Sequence, residues 1–164
     1  MSARLKKRST EATSSIMVFP NDTNDFGTMY GGRLIEMMDM VGGICARRFA
    51  SHKAVTASIE DMQFNKAINR GDIIELSSRI IYTGKTSMVV KTKVTREGYD
   101  ESKEVCARAY FVFVAMDTKG KPAEVPILEI LTDKEEKNNK IGAEIRKRQA
   151  LEEKRFEIEL KENL

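Results

Sequence analysis

The chain has 164 residues, of which 32% are charged and 41% hydrophobic, with a formal net charge of +3. That length suits one domain able to bury its own core, and so small a net charge gives no argument for a nucleic-acid partner. No run of roughly 18 apolar residues is present, so no membrane span is expected, and the basic start MSARLKKRST lacks the apolar stretch of a secretory signal.

Residues 1–13 carry Arg4, Lys6, Lys7 and Arg8 without an apolar period and read as a mobile basic tail. Ser14 to Phe19 reads as a short strand closed by Pro20. A polar loop, Asn21 to Asp25, then leads through Gly27 to Gly31 and Gly32, the entry to a helix. From Arg33 to Phe49, Leu34, Ile35, Met37, Met38, Met40, Val41, Ile44 and Cys45 fall at nearly every angle of a 3.6-residue turn, which predicts a core helix covered on almost all sides. Asp39 sits inside it, with Glu36 one turn back and Gly42-Gly43 one turn on, all on one side. Glycine in a helix interior costs about 1 kcal/mol against alanine. Two readings of this cost stand at this point: the carboxylate lies in a crevice opened for a ligand, or it is a structural acid and the glycines allow close packing.

After the helix, Val55 to Asn65 alternates through Val55, Ala57 and Ile59 and then shifts phase to Met62 and Phe64, which predicts a bulge near Glu60 or Asp61. Asn69 to Asp72 is a turn. Ile73 to Tyr82 is a strand with Ile74, Leu76, Ile80 and Tyr82 on one side, and Thr83-Gly84-Lys85 turns the chain again. Met88, Val90, Thr92 and Val94 predict a half-buried strand. Glu104 to Met116 is the last long strand, and its end, FVFVAM, is apolar on both faces, as if buried twice. One helix followed by four runs of about ten residues is an α+β order, helix first and meander after, with a long antiparallel sheet curling around the helix. Pro126 closes the domain, and 132–164 reads as a charged helical extension whose apolar residues, Ile141 and Ile145 and then Phe156, Leu160 and Leu164, break period between the two groups.

The chemistry is limited by what is missing. There is no GxSxG elbow, and the one histidine, His52, stands in a Ser-His-Lys turn that reads as surface, so a nucleophile and histidine mechanism is not expected. Cys45 and Cys106 read as reduced core residues of a cytoplasmic protein, and with no CxxC spacing no metal is expected. Carboxylate chemistry must then carry any hydrolysis. Asp39 can activate water or attack a carbonyl directly, Asn24 can hold water or the carbonyl, and the amides at Gly31 or Gly32 stand where a helix N-terminus stabilises an oxyanion.

The ordered pattern Pro20-Asn21-Asp22-Thr23-Asn24, Gly27, Gly31-Gly32 and Asp39 resembles the acyl-CoA thioesterases of the hotdog fold, the branch of short bacterial enzymes and tandem-domain cytosolic ones, over about Ser14 to Pro126. The resemblance implies a hotdog domain at 14–126 that hydrolyses acyl-CoA to free acid and coenzyme A. It implies Asp39 and Asn24 as catalytic residues contributed by opposite subunits of a dimer, with a trimer of dimers as the larger assembly. No cofactor is implied beyond the coenzyme A of substrate and product. Coenzyme A phosphates call for cations and turn amides, and the Arg70-Gly71 turn and Gly84-Lys85-Thr86-Ser87 suit them; the second resembles the family's nucleotide-contacting segment. Asp25-Phe26 follows Asn24 where relatives carry small or histidine residues, which bears on substrate preference. A non-catalytic acyl-CoA sensor is the rival reading. A hotdog dehydratase would need a histidine near Asp39 that this chain lacks.

Overall fold

The computed structural model describes residues 4–162, and the first three residues of the predicted tail and Leu164 of the predicted extension lie outside them. Helix α1 (Gly31–Ala50) packs on a five-stranded antiparallel sheet of β2 (Glu11–Met17), β3 (Lys53–Phe64), β4 (Ile73–Thr83), β5 (Ser87–Glu97) and β6 (Lys103–Met116). The spatial order is β2-β4-β5-β6-β3. Only β4 to β6 form the expected meander: β3 crosses over to pair with β6 and becomes an edge strand. The predicted bulge is present as a register shift between Glu60 and Gln63, with Asp61 in the left-handed region at φ 47°.

The core lies between α1 and the sheet. Leu34, Met38, Val41, Cys45 and Phe49 of α1 meet Ile74, Leu76, Ile80, Val90, Val94, Phe111 and Phe113. Burying such side chains contributes roughly 1.5–3 kcal/mol each before chain entropy is subtracted. The two glycines beside Asp39 face Phe113: a Cβ on Gly42 would stand 3.2 Å from the Phe113 ring, and one on Gly43 would stand 3.7 Å from it. The packing reading therefore accounts for Gly42, which lets the helix lie close on the strand, whereas a side chain at Gly43 would meet Phe113 only at ordinary contact distance.

Helix α1 is not covered on almost all sides, because Met40 and Ile44 are 53% and 47% exposed. The doubly apolar end of β6 is buried on both faces as expected, and its second face is covered by the chain itself: helix α2 (Asp133–Glu162) lays Ile145 on a second cluster of Ile81, Val89, Tyr110 and Val112. Gly142 makes that approach possible, since a Cβ there would be 2.4 Å from the Tyr82 Cβ. A bulge at Ile81 turns that residue out of the α1 core and onto the α2 side.

The basic N-terminal segment is also not a loose tail from Arg4 onward. Strand β1 (Lys6–Lys7) pairs in parallel with β7 (Ile127–Leu128). Lys7 donates to the carbonyls of Arg48 and Phe49, satisfying the C-terminal end of α1 with a cation. Arg8 pairs with Glu135, whose carboxylate also accepts from the Leu131 and Thr132 amides at the start of α2. These bonds hold the Glu135 carboxyl at about 2, with the Arg8 hydrogen bond as the largest cause.

Candidate active site

The loop before α1 is built on Asp22. Its carboxylate accepts the Phe19 amide at 3.0 Å and Arg33 Nε at 3.0 Å, and its carbonyl accepts the Tyr30 amide. The Phe19 amide first, and then Arg33, hold the Asp22 carboxyl below the usual carboxylate range. This brace sets the shape of the next residues. Asn24 Oδ1 accepts from the amides of Phe26 and Thr28 and from Thr28 Oγ1, closing a tight turn at Gly27, whose φ is 74°. Its Nδ2 donates to nothing among the described residues. The side chain therefore keeps both N–H donors of its amide and has spent its acceptor on the loop.

Helix α1 starts without a side-chain cap at Tyr30, leaving the first-turn amides of Gly31 and Gly32 without a capping partner from a side chain. Gly31 opens on a cleft of about 330 Å³ lined by Met29, Leu34, Phe64 and Ile68 among others.

Asp39 lies eight residues farther on, about 12 Å along the helix axis at 1.5 Å per residue. It is half-exposed on the margin between the buried and open faces of α1. One carboxylate oxygen accepts the Thr56 hydroxyl of β3 at 2.6 Å. Sequence reasoning did not single out Thr56, because an outward-facing threonine in an alternating strand carries no signal of its own. Glu36, the other acid on this side, is instead paired with Arg33 at 2.8 Å.

No hydrogen bond joins Asn24 to Asp39 within the described chain. The two expected phosphate turns are also apart. Arg70 stands beside the Asn24 loop, its amide donating to Gly27 O, at the start of β4, and Gly84 to Ser87 lie past the far end of that 11-residue strand. At roughly 3.3 Å per residue they are over 30 Å apart. One chain does not gather them into one cation cluster. His52 is exposed beyond the C-terminus of α1, and Cys45 and Cys106 are buried free thiols, the first pushed up to about 11 by burial.

For a chain with this fold and these features, comparison with known proteins gives the family. The Thioesterase superfamily profile matches residues 26–103. An acyl-CoA thioester hydrolase of Bacillus subtilis is 37% identical over 119 residues, covering 72% of this chain and 69% of that protein. The cytosolic acyl coenzyme A thioester hydrolase of Rattus norvegicus is 32% identical over 129 residues; the match takes in 77% of this chain and 34% of the rat protein, so the chain spans about a third of that relative. Among solved structures, the Staphylococcus aureus acyl-CoA hydrolase in complex with butyryl coenzyme A and coenzyme A superposes with a TM-score of 0.84 at 32% identity, over 92% of this chain and 94% of that one. An apo-hexameric acyl-CoA thioesterase superposes with a TM-score of 0.82 at 29% identity, over 89% and 97%. The Staphylococcus aureus enzyme has also been solved with an asparagine, an aspartate and a threonine separately changed to alanine, at positions fifteen and seventeen residues apart. The chain thus belongs to the acyl-CoA thioester hydrolase family of the thioesterase superfamily.

Proposed function

We propose that this chain hydrolyses acyl-CoA to a carboxylic acid and coenzyme A at a site shared by two copies, with Asp39 as the reacting carboxylate. The observation that carries the reading is the Thr56–Asp39 hydrogen bond on the open margin of α1. It fixes one carboxylate oxygen and leaves the other for a water or a thioester carbon. Asn24, Asp39 and Thr56 are separated by the same fifteen and seventeen residues as the asparagine, aspartate and threonine altered in the Staphylococcus aureus enzyme.

In the base route, Asp39 takes a proton from water, the hydroxide adds to the thioester carbon, and the negative charge on the carbonyl oxygen is met by the first-turn amides at Gly31 or Gly32 and the positive end of the helix dipole. Collapse breaks the carbon–sulfur bond, and the proton held by Asp39 passes to the departing thiolate. In the nucleophile route, Asp39 adds to the carbon itself, thiolate leaves, and water then cleaves the mixed anhydride. A single turnover in heavy-oxygen water gives a one-way test: label in Asp39 means nucleophile, with water opening the anhydride at the aspartyl carbon. Label in the product acid alone fits the base route or anhydride opening at the acyl carbon, which hydroxylamine trapping of the anhydride separates. Asn24 Nδ2 is the donor that holds the water or the carbonyl in either case. The apolar cleft beside Gly31 takes the acyl chain.

A second copy would bring an Asn24 to Asp39, which share no hydrogen bond within the described chain. The exposed side of α1 and the edge strand β3 supply a surface for it: Met40, Ile44, Val55, Ile59 and Phe64 are all more than 40% exposed. An edge strand with such side chains is completed by pairing. The hexameric state of solved relatives supports this assembly, as a trimer of dimers. No helix of the described residues is long and apolar enough to cross a membrane, and the rat relative's cytosolic name supports a cytoplasmic location. Thiol release measured across acyl-CoAs of increasing length tests the function. Turnover abolished by Asp39→Asn supports it, and tight binding without turnover in the unaltered protein favours the sensor reading instead.

A further inference from the structure

The turn at Gly84 to Ser87 does not stand alone. Its cleft, about 390 Å³, is closed on the other side by α2, through Ala143, Arg146, Lys147 and Ala150. Arg146 is held by neutral acceptors: Nε donates to Ser87 Oγ at 3.2 Å and Nη1 to Gln149 Oε1 at 2.8 Å. Ser87 and Gln149 are both 5% exposed, so this mount is largely buried. The mount depends on Gly84, because a Cβ there would lie 2.6 Å from Ser87 Oγ. Arg146 has no carboxylate partner among the described residues, and neither has Lys147.

The surroundings are positive. Lys85 lies in the same cleft, and Arg4 donates to Gly84 O from behind the turn. Glu124 forms an exposed 3.4 Å pair with Lys85 that competes weakly. The amides of Lys85 and Thr86 find no acceptor among the described residues. A guanidinium pinned in place, two further ammonium groups and free turn amides make a site for a compact polyanion, with phosphate the best match.

We propose that Arg146 and Lys147 of α2 bind a phosphate of the coenzyme A substrate together with the 84–87 turn, making the C-terminal helix part of the substrate site. This rests on the acyl-CoA reading above and adds to it residues outside the domain bounds suggested by the sequence. The site lies on the α2 face of the sheet, opposite the α1 face on which Phe113 and Met88 are buried, so a coenzyme A held here reaches an Asp39 only around the β4–β5 end of the sheet.

The test is calorimetric binding of free coenzyme A, 3′-dephospho-coenzyme A and pantetheine to the full chain and to Arg146→Gln, Arg146→Lys and Lys147→Ala, with folding checked by circular dichroism. Arg146→Gln is expected to weaken coenzyme A binding by on the order of tenfold, the scale of a charge-assisted hydrogen bond at a partly exposed group, and to leave pantetheine unaffected. Arg146→Lys recovers part of the loss if the charge is what counts. A loss that disappears with the dephospho ligand assigns the 3′-phosphate, and one that persists assigns the diphosphate. Equal losses for coenzyme A and pantetheine, or no loss at all, would overturn the proposal. Coenzyme A binding weakened as expected in a protein that releases no thiol would sink the hydrolase reading and keep this one, so the two failures are distinguishable.

Discussion

The Asn24 loop and the Asp39 margin of α1 are both ordered, yet they are completed in different ways. The loop is closed on itself: Asp22, Arg33, Thr28 and the Gly27 turn hold its shape, and the Asn24 NH2 remains. The Asp39 margin is open, with one hydroxyl from β3 on its carboxylate and exposed Met40 and Ile44 beside it. Local bonding perfects the first and leaves the second waiting for a neighbour. The difference teaches that the asparagine loop is finished within one chain, whereas under the proposed function the carboxylate is completed by a second copy.

The largest effect that breaks this comparison is at the acid. Asp39→Asn keeps the shape and the Thr56 contact but removes the base or nucleophile, and kcat should fall by about three orders of magnitude or more, with the melting temperature nearly unchanged. An unchanged kcat would move the chemistry to another group, with Glu36 the first to examine. Next is the hydroxyl that aims the acid. Thr56→Val should cost about tenfold in kcat, with little change in KM, and Thr56→Ser should restore most of it. A loss confined to KM would make Thr56 a binding residue.

Smaller again is Lys85→Ala, expected to raise KM for acyl-CoA by a few fold, because an exposed ammonium contributes modestly, and to spare a short pantetheine thioester. Equal effects on both substrates would remove the phosphate role of the turn. Smallest are the braces that shape the loop and anchor the N-terminal segment. Asp22→Ala should cost about 1–2 kcal/mol of stability through loss of the Phe19 cap and the Arg33 pair. Asp22 and Glu135 both titrate lower in the folded chain than in the unfolded one. Their contributions are therefore present above the ordinary carboxylate range near pH 4 and are lost as pH falls through the folded values, to about 2 for Glu135. Thermal melts from pH 6 to pH 2 of the unaltered chain and Glu135→Gln should converge at the acid end. Curves parallel throughout would contradict the linkage.

How much of this the sequence disclosed depends on whether a residue acts locally. The helix, the long strands and the bulge at Asp61 were legible because apolar period reports them directly. Asp39 and Asn24 were legible through their ordered spacing with Gly27 and Gly31-Gly32. The strand order was not, because nothing in the apolar pattern of β3 says that it pairs with β6 across the sheet. Gly42-Gly43 invited a ligand reading because the sequence does not show that Phe113 packs beneath them. The N-terminal segment looked loose because its anchors are Lys7 and Arg8, polar side chains whose partners are 41 and 127 positions away. Thr56 and Arg146 were hidden for the same reason: each matters through a contact made only after folding.

The central claim, a site made of two copies, is tested most directly by mixing. Asn24→Ala and Asp39→Ala chains, each expected to be inactive alone, are co-expressed so that they pair at random, and acyl-CoA hydrolysis per chain is measured. With two equivalent sites per dimer, about half the dimers are mixed and each mixed dimer holds one intact site, so activity should recover to about a quarter of the unaltered enzyme. Mixing that restores nothing, while the mixed dimers are shown to form, would contradict the account by placing both residues within one chain's site.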